Sequence, residues 1–271
     1  MDKLQMYCLA IDDSLKNKIK ELNYIPVGLG DNKFSEDWLR DSTGKNISQK
    51  NKYYGEYTFH YWLWKNYLDK IPENTWIGFC AYRRFWSKDI TKQNKILELK
   101  KEVIQSVDDK WKNYDVILGD KIYFDHIKWI KVLKYGKISF LRNPQVIFKN
   151  KRNIRFHFDM FHGNGNLDKA INLLPDKDRE DFRNFTRNSN SYNQGNMFIT
   201  KSKSIMQNYY KEVFDWLEKC ENVFGFDLQG YGKARIYGFL AERFLPFWFN
   251  KYSKVIEWPV LFYDLKKNNE K

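Results

Sequence analysis

The chain has 271 residues, of which 42% are apolar and 18% aromatic, enough to bury a core and too apolar for a disordered polymer. Its 47 basic residues against 34 acidic ones leave a net charge of +13, which favours nucleotides, acidic glycans, nucleic acid or lipid headgroups without choosing among them. Cys8, Cys80 and Cys220 are too widely spaced for a disulfide framework or a C-x-x-C metal site, and the four histidines show no H-E-x-x-H spacing, so a reducing cytoplasm and no structural zinc are expected.

The amino terminus has no apolar signal core, and no run approaches the roughly 18 apolar residues of a membrane span. A soluble or peripheral protein is the expectation. In chain order, Gln5–Ile11 predicts a first strand, Asp13–Glu21 a polar helix, and Tyr24–Gly30 an extended run with turn residues. Its G-L-G lacks the third glycine and the helix of a dinucleotide fingerprint. Residues 38–51, W-L-R-D-S-T-G-K-N-I-S-Q-K-N, are dense in turn and cap formers and predict a loop feeding a helix. The T-G-K within them lacks the first glycine and the leading strand of a Walker site. Tyr54, Tyr57, Tyr61, Trp64 and Leu68 then fall at steps of three and four, predicting one helix with an aromatic core stripe. Its amino terminus would offer N–H groups to an anion.

Thr75–Trp86, T-W-I-G-F-C-A-Y-R-R-F-W, reads as a buried central strand ending in two arginines. Ligands of α/β sheets collect at the carboxyl ends of strands. A guanidinium matches a phosphate or carboxylate, so Tyr82, Arg83 and Arg84 are read either as an anion site or as a solvated strand end. Leu97–Val107 predicts a helix and Tyr114–Leu118 a short strand closed by Gly119-Asp120.

Residues 121–157 hold ten Lys/Arg and one acidic residue, interleaved with aromatics. That suits an anionic membrane surface better than a nucleic-acid groove; a basic β-hairpin with a solvated face is the plainer alternative. Asp176-Lys177-Asp178 spells D-x-D, but it follows Pro175 in a charge run with no strand before it, so a solvated helix start is expected. Tyr192–Thr200 reads as a turn entering a strand, with Asn193, Gly195 and Asn196 available to hydroxyls or to plain turn duty. A helix follows, with Ile205, Tyr209, Val213, Trp216 and Cys220 on one stripe. Arg235–Phe249 is an apolar helix expected to break at Pro246, and its Glu242-Arg243 is either a structural ion pair or part of a site.

The order of four motifs then matters: the 38–66 block, I-G-F-C-A-Y-R-R-F, N-M-F-I and G-F-L-A-E-R. Together they resemble bacterial capsular and exopolysaccharide glycosyltransferases first catalogued as a domain of unknown function, some of them galactofuranosyltransferases. The resemblance covers most of residues 24–86 and 190–250. It departs at Ala81, where the family usually has histidine, and in a longer 121–157 connection. It implies an α/β, GT-A-like single domain over residues 1–271, with a mostly parallel central sheet and 121–157 as a basic insertion. The implied activity is transfer of galactofuranose or another hexose from a nucleoside-diphosphate donor, expected to be UDP-linked, to a lipid-linked or oligosaccharide acceptor in capsular or surface polysaccharide synthesis at the cytoplasmic membrane face. Arg40, Asp41, Asn46, Ser48, Tyr82, Arg83 and Arg84 are the implied donor side; Asn193, Asn196 and Arg243 are assigned to the acceptor. Asp41, Asp227, Glu242 and His162 are the candidate bases. No metal ligand is assigned, since no D-x-D follows a strand; Arg83 and Arg84 stand where a metal's carboxylates would, so transfer with weak or no dependence on manganese or magnesium is expected. A nucleic-acid-binding protein and an inactive glycan-binding assembly partner are the alternatives.

Overall fold

The computed structural model describes residues 2–89, 96, 98–124, 140–141, 144–148 and 151–267. In chain order these give β1 (Lys3–Ala10), α1 (Lys16–Glu21), β2 (Ile25–Gly28), β3 (Leu39–Arg40), α2 (Asn51–Tyr54), α3 (Tyr57–Asn66), β4 (Thr75–Ala81), β5 (Arg84–Trp86) and α4 (Leu99–Glu102). There follow β6 (Val116–Gly119), β7 (Lys121–Tyr123), α5 (Ile154–His162), α6 (Asn166–Ile171), α7 (Asp176–Asn188), β8 (Ser191–Asn193) and β9 (Phe198–Thr200). The chain closes with α8 (Lys203–Phe224), α9 (Tyr231–Ala234), α10 (Ile236–Tyr252), β10 (Val255–Trp258) and β11 (Val260–Phe262).

Contacts divide the chain into two compact units, one of residues 1–120, 195–210 and 249–271, the other of residues 121–194 and 211–248. The first is built on a sheet of order β10-β6-β9-β4-β1-β2-β3, with β5 and β11 paired beside β4. β1 pairs in parallel with β2 and β4, β2 with β3, and β6 with β10. Only β9 runs against its neighbours in that order, β4 and β6. The mixed α/β class with a mostly parallel central sheet is thus as expected.

β4 is a central strand for a plain reason. Trp76, Ile77, Phe79 and Cys80 are all buried, and such aromatic and branched residues suit a sheet covered on both faces. Gly78 makes room within it: a Cβ there would lie 2.3 Å from Met6 Sδ and 3.0 Å from Ile199 Cγ1. Cys8 and Cys80 are register partners on β1 and β4, and all three cysteines are buried thiols.

In the second unit β7 pairs antiparallel with β8, Lys121↔Asn193 to Tyr123↔Ser191. The basic stretch therefore opens on a strand whose partner lies some seventy residues on, not on a local hairpin. Its residues 125–139, 142–143 and 149–150 lie outside the described residues, including Trp129 and Tyr135. Of the stripe predicted on α8, Tyr209, Val213, Trp216 and Cys220 are buried and Ile205 is half-buried.

Three local expectations fail. The helix expected over 97–107 is one turn, α4, because Val103 and Ile104 go extended: Ser87 bridges Val103, and Ile104 N–H donates to Trp86 O at 3.0 Å. Helix α10 runs through Pro246. Proline removes one i−4 bond and crowds the preceding turn, but Phe244, Leu245, Phe247, Trp248 and Phe249 are all buried, and their packing outweighs that loss. The aromatic helix is split at Gly55, whose φ is +59°. Its buried positions include Tyr57, Phe59, His60, Trp62 and Leu63, while Tyr61 and Trp64 are only half-buried.

Candidate functional site

Strand direction brings the chemistry to one edge of the first unit's sheet. β1, β2, β3, β4 and β6 end there, and the antiparallel β9 begins there. The edge therefore collects Gly28–Gly30, Arg40-Asp41, Ala81–Arg84, Gly119-Asp120 and the turn 195–197. This is where ligands of open α/β sheets bind.

After β4, the chain turns at Tyr82-Arg83 and returns as β5, with Ala81 paired to Arg84. The turn is held from two sides. Tyr82 N–H donates to Leu9 O at 3.2 Å, while Tyr263 and Leu265 N–H groups donate to Arg83 O and Tyr82 O, each at 3.1 Å. Arg83 Nε lies 3.3 Å from Asp264 Oδ2; the arginine side chain is 50% exposed and the aspartate 9%. Its Nη2 donates to the Tyr82 hydroxyl at 2.5 Å, with the guanidinium 4.8 Å from that ring's centre. Arg83 is thus a cation anchored on its inner side by a buried carboxylate and open to solvent. Arg84 is half-buried. Gly195, at φ +103°, lets the chain pass beside it: a Cβ there would lie 3.7 Å from Arg84 Cδ. Asn196 follows at φ +49°, a left-handed conformation that asparagine tolerates better than most residues.

His60 braces this turn from beneath. Its Nε2 is 3.4 Å from Asn196 O and its Nδ1 is 2.9 Å from the Tyr210 hydroxyl. A carbonyl only accepts, so Nε2 carries the proton and Nδ1 accepts from the tyrosine. Burial pulls the His60 pKa down to about 3, and the ring is neutral.

The Arg40–Ser48 loop spends its polar groups on its own shape. Asp41 is fully buried and accepts from Gly30 N–H at 2.9 and 3.1 Å and from the Thr58 hydroxyl. Burial raises its pKa against those bonds. Arg40 stacks 4.5 Å from the Phe34 ring centre and donates to Gly28 O, Gly30 O and Asn32 O. Asn46 Oδ1 accepts both the N–H and the hydroxyl of Ser48, so the first N–H of the turn before α2 is capped from within the chain. These residues build the Gly28–Gly30 backbone and its neighbouring loop.

The remaining expected residues belong to the second unit. Asn193 sits in β8 and is buried. Arg243, only 1% exposed, pairs with Glu242, reaches His157 Nδ1 at 3.4 Å and lies 4.2 Å over the Tyr192 ring. Those contacts match the ion-pair reading of Glu242-Arg243. His162 is buried against Phe239, ring centres 4.0 Å apart, with Nδ1 donating to Gly232 O at 2.8 Å. Burial first, then the nearby Arg243 charge, lower its pKa to about 3. Asp227 is exposed in the loop before α9, and its carbonyl accepts from Gln229.

A divalent cation does not fit the end of β4. The groups there are two guanidinium ions, and Asp264 is committed to Arg83. The D-x-D carboxylates start α7: Asp176 pairs with Arg179 at 2.7 Å, as a solvated helix start would, whereas Asp178 is fully buried. Among the described residues no three His, Cys, Asp or Glu side chains gather as a ligand set. None of the described helices is long and apolar enough to cross a membrane.

Two residues at the edge escaped sequence reasoning. Asp120 closes β6 beside the start of β9; its N–H donates to Trp258 O at 3.0 Å and its Oδ1 accepts Val260 N–H at 3.3 Å. An apolar strand closed by Gly-Asp was a legible signal for it. Asp264 had none, since its partner is 181 positions away.

Comparison with known proteins places the fold. A family model described as a domain of unknown function, DUF4422, matches residues 13–254. Among solved structures, the WbbM bifunctional glycosyltransferase in its apo form matches with a TM-score of 0.70 and 21% identity, over 96% of this chain and 45% of that one. This chain thus spans less than half of that protein, and the likeness is one of fold: mixed α/β and GT-A-like. No curated protein matches.

Proposed function

We propose that this chain, which belongs to the DUF4422 family, transfers a sugar from a nucleoside-diphosphate donor bound at the carboxyl edge of the first unit's sheet. One observation carries the reading: the buried central strand β4 delivers Arg83 and Arg84 to that edge, and Asp264 holds Arg83 half exposed there. Fold likeness to a glycosyltransferase supports it.

In such a transfer the bond from the anomeric carbon to the diphosphate breaks, and its electron pair leaves with the diphosphate. Negative charge grows on the leaving oxygens. Fixed cations oppose it best where they need no reorganisation, and each charge-assisted contact contributes about 1.5–3 kcal/mol. The acceptor hydroxyl adds to the anomeric carbon, and its proton passes to a carboxylate. Asp120 is our choice for that base, because it follows β6 at that edge and is half-buried, whereas Asp41 is fully buried. The finer reading is a hexosyl donor, UDP-galactofuranose included, and a lipid-linked or oligosaccharide acceptor in surface-polysaccharide synthesis. It rests on the motif resemblance.

The test is a thermal-shift and hydrolysis screen across UDP-, GDP-, CMP- and TDP-sugars, UDP-galactofuranose among them, with divalent metal and with EDTA. One donor is expected to stabilise the protein and turn over. Arg83→Ala and Arg84→Ala should each lose that turnover while remaining folded. Wild-type rates in both variants would remove the arginine mechanism, and the same result for Asp120→Asn would remove the base.

A further inference from the structure

Helix α3 supplies polar side chains to two separate parts of the candidate donor edge. Thr58, Trp62 and Asn66 recur at steps of four, one stripe of the helix, and each reaches the Arg40–Ser48 loop. The Thr58 hydroxyl donates to Asp41, and the Trp62 indole donates to the Thr43 hydroxyl at 2.9 Å. Asn66 Oδ1 accepts Lys45 N–H at 2.9 Å, and its Nδ2 donates to Lys45 O at 2.7 Å. His60 stands two residues from Thr58, about 200° around the helix, and reaches elsewhere: Nε2 to Asn196 O at 3.4 Å and Nδ1 to the Tyr210 hydroxyl at 2.9 Å. One helix therefore sets the 195–197 turn against the Arg40–Ser48 loop.

Packing alone does not ask for a histidine at this position. The ring is fully buried among Tyr57, Phe79, Phe198 and Tyr210, with ring centres between 4.4 and 5.7 Å away, and a phenyl ring would fill the same space. A buried polar ring costs free energy unless its nitrogens are bonded. Both are, and the bonds have a direction: Tyr210 donates to Nδ1, which leaves the proton on Nε2, the nitrogen facing Asn196 O. That bond ends on a turn whose Gly195 and Asn196 both have positive φ, +103° and +49°. The same turn runs beside Arg84, since a Cβ on Gly195 would lie 3.7 Å from Arg84 Cδ.

We propose that His60 is a positioning residue of the donor edge: through Asn196 O it fixes the 195–197 turn against which Arg84 is aimed, in the tautomer that Tyr210 selects. The proposal rests on the sugar-transfer reading. A cation beside a fixed turn needs no reorganisation as charge builds on the leaving diphosphate. Without the brace the charge of Arg84 is still present to attract a donor, but its aim is lost, so the cost falls on turnover rather than on binding.

The test has a structural arm and a kinetic arm, both on the full chain. Imidazole proton–nitrogen correlation spectra of the wild type at neutral pH should show His60 as the neutral Nε2–H form, and hydrogen exchange in the peptide covering 194–198 should quicken severalfold in His60→Phe. With UDP-galactofuranose as donor, His60→Phe should lose about tenfold in kcat with donor KM little changed. His60→Gln, whose amide N–H can reach Asn196 O, should recover part of that loss although it fills the aromatic pocket less well than phenylalanine. Adding Tyr210→Phe to His60→Phe should cost nothing further, because both act through one bond. An Nδ1–H tautomer, unchanged exchange, a wild-type kcat in His60→Phe, a His60→Gln variant slower than His60→Phe, or a multiplicative loss in the double variant would each overturn the proposal. A wild type that turns over no donor would instead remove the sugar-transfer reading, with the tautomer and the exchange rates still deciding whether His60 holds the turn.

Discussion

Asp264 holds Arg83 through a 3.3 Å contact that links the carboxy-terminal segment to the turn after β4. The aspartate is nearly buried and the arginine half exposed, so the carboxylate orients a cation that still faces solvent. Asp264→Asn keeps the shape and removes the charge. Pairs this exposed contribute no more than about 1 kcal/mol to stability, so the urea midpoint should hardly move. Donor turnover should fall about tenfold, the equivalent of one weakened charge-assisted bond, mainly through donor KM. Unchanged kinetics would show that Arg83 needs no positioning partner.

Asp41 tests the loop. Asp41→Ala leaves Gly30 N–H without its acceptor, at about 1–3 kcal/mol for that buried group, while the Thr58 hydroxyl can still donate to Gly55 O at 3.1 Å. Burial raises the folded pKa of Asp41 above its unfolded value. The native state therefore holds this proton more tightly than the unfolded chain. The resulting stability is fully present below the unfolded pKa of about 3.9 and declines as pH rises through the folded value. Asp41→Asn should accordingly cost more at acidic pH than at neutral pH in urea titrations. A cost that grows with pH would contradict the burial account.

His60 and His162 titrate in the opposite sense. Both have folded pKa values lowered to about 3 by burial, against about 6.5 in the unfolded chain. Below pH 6.5 the unfolded state takes up protons that the native state refuses, so stability falls as pH drops towards 3. Each histidine contributes a slope of about 1.4 kcal/mol per pH unit. His60→Phe preserves the packing on Phe79 and Phe198, ring centres 4.4 and 5.7 Å away, and should remove one histidine's share of the slope. A slope equal to the wild type's would place His60 in contact with water.

Gly78 tests the central strand. Gly78→Ala puts a methyl 2.3 Å from Met6 Sδ, and overpacking of this kind costs about 1–3 kcal/mol. Met6→Val in the same chain removes the clashing sulfur and should recover part of that loss, a non-additive result expected of touching residues. Full additivity in chemical denaturation would mean that the two side chains do not compete for space.

The position of Arg83 and Arg84 was legible because it is local. T-W-I-G-F-C-A is apolar on both faces, so it had to be a covered strand, and the arginines at its end had to reach the carboxyl edge. The stripe of α8 was legible for the same reason. The roles inside the Arg40–Ser48 loop were not, because its side chains turn back onto backbone groups that composition does not reveal. Nor was the continuation of α10 through Pro246, where packing overrides a local breaker.

What the sequence by itself determined is the set of elements whose burial pattern repeats within a few residues, together with the chemistry at their ends. Tertiary structure alone decided the antiparallel insertion of β9, the β7–β8 pairing, the Asp264–Arg83 contact and the Asp120–Val260 bond. The physical reason is distance along the chain. A side chain's neighbour in space is chosen by strand order and register, and no periodicity in the chain encodes a partner dozens of residues away.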